Sequence, residues 1–174
     1  TRCLSDWSSD VCSSDLLDRN TRNRIIRETA RKHNKRDHAI VMTLLGCGLR
    51  VSELVALDRD DIEMSERKGT VYVRNGKGGK ERTVPIPADT RRALREYMEQ
   101  RNDSHPALFL SQLGKRISVR TVQDMLAKYG VHPHQLRHTY VKTLVDKNVP
   151  AATIMSMTGH TSADMVAWYS QPSD

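Results

Sequence analysis

HPHQLRHTYVKTLVDK, residues 132–147, is the segment on which both the fold and the chemistry of this chain turn. Pro133 suits the first turn of a helix, because its φ is already fixed near the helical value and its missing N–H would have no partner there. Leu136, Tyr140 and Leu144 recur every four residues, so one side of that helix is apolar and faces a core. His132, His134 and Arg137 crowd its start, where unpaired backbone N–H groups and the positive end of the helix dipole favour an anion. His134 and Arg137 are three residues apart and are expected to share a face. A guanidinium fork grips two phosphate oxygens, and an imidazole donates a hydrogen bond or moves a proton near neutral pH. Taken alone, the same residues also describe a basic helix start bathed in water.

Working outward, the chain reads as mainly helical with a small antiparallel sheet, an α+β architecture. Residues 19–34 are basic and helical in pattern, and residues 37–45 are apolar on nearly all sides, a buried helix closed by Gly46 and Gly48. A short helix is expected over residues 51–57, with Leu54, Val55 and Leu57 on its buried face. Residues 70–74 and 81–86 alternate in the β manner around Gly76, Gly78 and Gly79, which predicts a hairpin ended by Pro85 and Pro87. Helices follow over 89–101, 118–129 and 133–147, then a shorter one over 150–157 that stops at Gly159. Thr161 with Asp164 forms a capping-box pattern, so a last brief helix is expected to carry Trp168 and Tyr169.

The 28 Lys and Arg against 21 Asp and Glu leave a net charge of +7, which suits a polyanionic partner, nucleic acid first, better than a neutral metabolite. With a single phenylalanine, Phe109, and few other aromatics, stacking platforms for single strands are not expected, which leaves contact with the duplex backbone. Cys3, Cys12 and Cys47 are odd in number and form no CxxC pair, so neither a disulfide framework nor a thiolate zinc site is indicated. A cytoplasmic setting, in a bacterium at the nucleoid, is expected. The longest apolar run, residues 39–49, is far short of the roughly 20 residues a membrane span needs, so no membrane partner is expected.

Further candidates for phosphate chemistry lie outside the first segment. Arg50 follows the glycine corner and precedes Glu53 by three residues, close enough for the carboxylate to orient the guanidinium. GKGGKER, residues 76–82, sets Lys77 and Lys80 on a tip flanked by Arg74 and Arg82, where glycines let the backbone approach a partner. It is not a phosphate-binding P-loop, because the GxxxxGK[ST] spacing is absent. Asp58, Asp60 and Asp61 cluster, but without carboxylates from a separate element they read as a solvated turn at a helix end and not as a metal site. The histidines His132, His134, His138 and His160 sit among arginines that repel a cation, so no metal and no other cofactor is expected. A protein nucleophile is then required, and Tyr169 is a candidate if Arg50, Arg137, Lys77 and the histidines converge to favour its phenolate and to neutralise a phosphorane.

GLRVSEL at 48–54, GKGGKER, HPHQLRHT at 132–139, TGH ending at His160, and WY at Trp168 and Tyr169 together resemble the tyrosine recombinases of the phage-integrase and Xer type, in that family's order. The resemblance spans approximately residues 36–172. It implies a site-specific DNA recombinase or integrase catalytic domain that cleaves and rejoins strands through a 3′-phosphotyrosyl intermediate, with neither ATP nor a metal. Arg50 and Arg137 would clamp the non-bridging oxygens of the scissile phosphate, Lys77 would protonate the departing 5′ oxygen, and His134 would assist proton transfer. His160 would hydrogen-bond the phosphate and Tyr169 would attack it, with Glu53 holding Arg50 and His138 packing behind the site. Duplex DNA is the implied partner, bound by a tetramer of the intact protein.

Relatives of this type begin with a helical DNA-clamp domain of about a hundred residues, which is expected to be missing here. Residues 1–16, with SSDVC followed by SSDL, are expected to be a disordered or non-native leader, and residues 17–174 the catalytic domain. Topoisomerase-like relaxation through a similar tyrosine, and a non-catalytic DNA-binding fragment of a decayed or truncated integrase, are the alternative readings.

Overall fold

The helix α2 (Lys35–Cys47) runs through the middle of the molecule, and its sequence explains why. Ala39, Ile40, Val41, Leu44 and Cys47 are fully buried, so apolar side chains leave the helix in nearly every direction and need cover all round. That cover comes from α1 (Arg19–Arg31), α4 (Ala88–Glu99) and α6 (Pro133–Asp146), which all pack against it. This is a computed structural model, and it describes residues 16–31, 34–74, 81–160 and 167. The remaining helices are α3 (Val51–Ala56), α5 (Val119–Ala127) and α7 (Ala151–Thr158).

Helix ends are made by residue types suited to them, although Asn34, read from sequence as the end of the first helix, instead caps the start of the second. Asn34 accepts a hydrogen bond from the Asp37 N–H at the start of α2, and Ser118 accepts one from the Thr121 N–H at the start of α5. Gly48 ends α2 in the left-handed conformation at φ 61°, its N–H donating to the Leu44 carbonyl at 3.1 Å. A side chain here would be strained and also blocked, since a Cβ on Gly48 would lie 2.0 Å from the Tyr140 ring. Gly48→Ala is therefore expected to destabilise the fold by about 2–4 kcal/mol, read as a lower urea midpoint with unchanged slope.

The sheet is larger than the hairpin expected from sequence. β2 (Gly69–Val73) pairs antiparallel with β3 (Arg82–Pro85), as the alternation indicates, and also with β1 (Ile62–Met64). β1 has only three residues, too few for a period-2 pattern to stand out. Val71, Val73 and Val84 turn inward to the core, and Tyr72 and Thr83 face outward. Pro85 needs no ladder donor on its outer side because β3 is an edge strand. The hairpin tip, residues 75–80 with Lys77 and Lys80, lies outside the described residues.

The aspartate cluster also departs from expectation. Asp60 is exposed, but Asp61 is only 3% exposed: its carboxylate accepts from the Asp58 N–H at 2.9 Å and pairs with Arg74. Asp58 in turn pairs with Arg116. These carboxylates tie the turn after α3 to β2 and to the segment before α5, so the cluster is a structural knot and not a solvated turn.

Candidate active site

Three chain segments that end or begin at helix termini meet around Arg137. Arg137 leaves α6 on its buried side and is 4% exposed. Its guanidinium donates to the carbonyl of Gly48 at the end of α2, to the carbonyl of Thr158 at the end of α7 (2.7 Å), and to Nε2 of His160 (3.1 Å). Terminal carbonyls of a helix lack intrahelical partners, so two helix ends supply acceptors that fix the guanidinium plane.

His160 is held from both sides, and the network selects its tautomer. Thr158 Oγ1 donates its single proton to the Ile154 carbonyl at 2.7 Å, so it accepts from His160 Nδ1 at 2.8 Å. Nδ1 therefore carries the proton and Nε2 is the acceptor for Arg137. Burial, then Arg137, Arg50, His138 and Arg82, disfavour the imidazolium and push the pKa of His160 down to about 3. The unfolded chain binds this proton at a higher pH than the folded one, so the stability it contributes is present above about pH 6.5 and falls as pH drops toward 3. Wild type is expected to lose urea resistance more steeply than His160→Gln between pH 6.5 and 4. Parallel curves for the two proteins over that range would contradict the assignment.

Arg50 stands at the start of α3, two residues after Gly48. Glu53 holds it twice, accepting from its backbone N–H at 2.8 Å and from Nη1 at 3.1 Å. The same carboxylate accepts a bidentate pair from Arg82 of β3, at 2.9 and 2.8 Å, and Arg82 Nε donates to the Met157 carbonyl at 2.9 Å. Glu53 is 6% exposed; burial alone raises its pKa, but the Arg82 hydrogen bond, the Arg50 N–H and the two guanidinium charges outweigh this and hold it below the usual carboxylate range. Arg82 thus joins α3, β3 and the end of α7, directly beneath the Gly159 turn, where a Cβ would come within 3.1 Å of its Nη1.

Arg50, Arg137 and His160 are thereby gathered, with Arg82 and His138 close enough to act on His160 electrostatically. Arg50 and Arg82 share the one buried carboxylate of Glu53, and Arg137 adds a third guanidinium held by neutral acceptors, which leaves a cationic pocket suited to an oxyanion. His134 was expected on the same face as Arg137, but it is exposed whereas Arg137 points into the fold. The His134 ring stands 6.2 Å from that of His132 and 6.5 Å from that of His138, at the solvent side of the same helix start. Lys77 and Tyr169 lie outside the described residues, and of the brief helix expected to carry Tyr169 only Ala167, which is helical, is described. Sequence reading gave Arg82 no role beyond flanking the hairpin tip, since 29 residues separate it from Glu53.

The Cys47 thiol is fully buried, and burial pushes its pKa up to about 12, which removes it as a nucleophile. Among the described residues, no group of three or more His, Cys, Asp or Glu side chains converges to hold a metal ion. Among them, too, no helix is long and apolar enough to cross a membrane.

The chain is similar in sequence and fold to known proteins. Tyrosine recombinase XerA of Pyrococcus furiosus is 37% identical over 153 residues, covering 83% of this chain and 53% of that protein. Tyrosine recombinase XerC of Escherichia coli O127:H6 is 36% identical over 145 residues, 77% of this chain and 48% of that protein. The chain spans about half the length of these curated relatives. Among solved structures, that of XerA recombinase superposes with a TM-score of 0.79 at 26% identity over 91% of this chain and 59% of the other. The Tn1549 transposon integrase in complex with circular intermediate DNA shares the fold, with a TM-score of 0.78 at 21% identity over 99% of this chain and 66% of the other. Residues 15–174 match the phage integrase family, and the chain belongs to that family, the tyrosine recombinases.

Proposed function

We propose that residues 17–174 are the catalytic domain of a site-specific DNA recombinase that breaks and rejoins strands through Tyr169. The observation that carries this reading is the arginine pocket: Arg137, pinned by two helix-end carbonyls and His160, faces the same imidazole that Arg50 and Arg82 act upon. Such a pocket is preorganised for a phosphate whose charge grows in the transition state, and its cationic groups do work that a metal does elsewhere.

In the proposed reaction the Tyr169 hydroxyl oxygen attacks the scissile phosphorus and loses its proton, with His134 assisting. The bond to the 5′ oxygen breaks, and Lys77 protonates that oxygen as it leaves. Arg50 and Arg137 hold the two non-bridging oxygens. His160 contributes first by orienting Arg137; an arriving phosphate anion then favours the tautomer with the proton on Nε2 in place of Nδ1, the Thr158 hydroxyl turning to donate to Nδ1, which lets the neutral ring donate to the phosphate. The 5′ hydroxyl of another strand attacks the phosphotyrosyl link in the reverse sense, so the bond energy is conserved. Solved structures of the same fold support duplex DNA as the partner, among them XerH bound to its difH substrate and a lambda integrase dimer bound to a core site. Assembly of four protomers on DNA belongs to the same proposal.

A nicked duplex, in which the cleaved end diffuses away, tests it. Wild type is expected to form a protein–DNA adduct that survives detergent and forms equally in EDTA, and Tyr169→Phe is expected to form none. Duplex binding without any adduct from wild type would favour the non-catalytic alternative, and relaxation of plasmids lacking a recombination site would favour the topoisomerase alternative.

A further inference from the structure

The helix α1 carries five arginines in thirteen residues, Arg19, Arg22, Arg24, Arg27 and Arg31, against a single acid, Glu28. Nothing inside the fold calls for this. Ile25 and Thr29 are the buried residues of the helix, whereas Arg19, Asn20, Asn23, Arg24, Arg27 and Arg31 are all exposed. Arg24 pairs with Glu28 at 3.8 Å and donates to the Tyr129 carbonyl at 3.2 Å. Arg19, Arg27 and Arg31 make no ion pair or hydrogen bond among the described residues.

The arrangement also works against the helix itself. Asp18, just ahead of the helix, accepts from the Asn20 and Thr21 N–H groups at 2.9 and 3.0 Å, but no acid stands in the first turn itself, where Arg19 and Arg22 face the positive end of the dipole. Arg19 with Arg22, Arg24 with Arg27, and Arg27 with Arg31 are neighbours three or four apart, so like charges repel along the surface. An external polyanion relieves both penalties at once.

The placement of α1 says which polyanion. α1 packs on α2; just before it the Leu17 N–H donates to Thr139 Oγ1 of α6 at 3.1 Å, and Arg24 reaches the Tyr129 carbonyl in the segment that leads into α6, so the N-terminal half of α1 lies near the approach to α6. The first half of α6 carries His134 and Arg137, and its opening turn is beside the arginine pocket. From Arg19 to Arg31 the helix rises about 18 Å, a length over which duplex DNA presents about ten charges. Arginine and asparagine side chains are those that hydrogen-bond phosphate oxygens without reading sequence.

We propose that the outer face of α1 is a second DNA-contact surface, a track for the duplex backbone flanking the scissile phosphate, with Arg19, Arg27 and Arg31 each neutralising a phosphate. The inference rests on the proposed function, because it takes the substrate of the pocket to be duplex DNA. The track supplies grip and register, and the pocket supplies chemistry.

The test is the salt dependence of binding to a fluorescein-labelled 30-base-pair duplex of mixed sequence, using the full chain. Arg19→Gln/Arg27→Gln/Arg31→Gln is expected to reduce the slope of log K against log salt by about 2.7, roughly 0.9 per contact. Between about 50 and 200 mM salt, wild type then loses about 40-fold more affinity than the variant does. A second triple variant, Arg67→Gln/Arg92→Gln/Arg120→Gln, removes the same charge from other exposed arginines and is expected to keep nearly the wild-type slope. An unchanged slope in the first variant, or an equal drop in both, overturns the track while leaving DNA binding by the chain intact. A wild-type chain that binds no duplex at any salt overturns the track together with the proposed function.

Discussion

Replacing Arg137 by alanine is expected to slow strand cleavage by about a thousandfold or more, the scale on which a single preorganised oxyanion donor acts. Arg137 is buried and fixed by acceptors from two helix ends, so in the proposed reaction it would meet the phosphate without having to be ordered first. Its removal also leaves the Gly48 and Thr158 carbonyls without this donor, at a cost to stability of about 1–3 kcal/mol each. Cleavage is therefore compared by single turnover at saturating DNA, at a temperature where circular dichroism shows both proteins folded. Arg137→Lys separates charge from geometry: it keeps the positive charge, but one ammonium cannot span Gly48, Thr158 and His160 as the planar fork does. Its cleavage is expected to stay at least a hundredfold below wild type, with duplex affinity changed little. Adduct formation by Arg137→Ala within tenfold of wild type would remove Arg137 from the chemistry.

The second large effect is at Glu53. One carboxylate, almost out of solvent, accepts four hydrogen bonds, and two of its donor groups are guanidiniums on different elements. Glu53→Gln keeps the shape but leaves two arginines crowded without their counter-ion, Arg82 among them with only 7% of its side chain exposed. Breaking such a buried pair from one side is expected to cost about 3 kcal/mol, with Arg50 partly relieved by its contact with water. The folded pKa of Glu53 is depressed, so the stability it contributes is present above about pH 4.3 and is lost as pH falls through the lower folded value. Urea unfolding of the two proteins is thus expected to show a gap that is constant near neutrality and closes in acid. Cleavage falls as well, since Arg50 loses the group that aims it, and Arg82→Lys is expected to lie between wild type and Glu53→Gln because it keeps the charge but not the two-pronged contact.

Much of this was legible in the sequence because it is written locally. The glycine stop of α2 at Gly48, the proline start of α6, the apolar spacing of Leu136 and Tyr140, and the hairpin alternation each concern neighbouring residues, and each is present in the fold. The pairing of Arg50 with Glu53 is also local, three residues along one helix start. Features that depend on distant pairing were not legible. Arg82 meets Glu53 across 29 residues and Met157 across 75, and neither spacing leaves a mark in the sequence. β1 is too short to show alternation, and Asp61 looks solvated until Arg74, just past the end of β2, partners it. His134 illustrates a third case: three-residue spacing puts it near Arg137, but the burial of the helix sends one side chain outward and the other in.

A structure of the Tyr169→Phe chain bound to duplex DNA measures the central quantity, the position of the backbone phosphorus relative to the pocket. One phosphate is expected with its non-bridging oxygens within hydrogen-bond distance of the Arg50 and Arg137 guanidiniums and of His160 Nε2, and with the residue 169 ring in line with the 5′ oxygen. A duplex seated so that no phosphate touches both arginines would contradict the account.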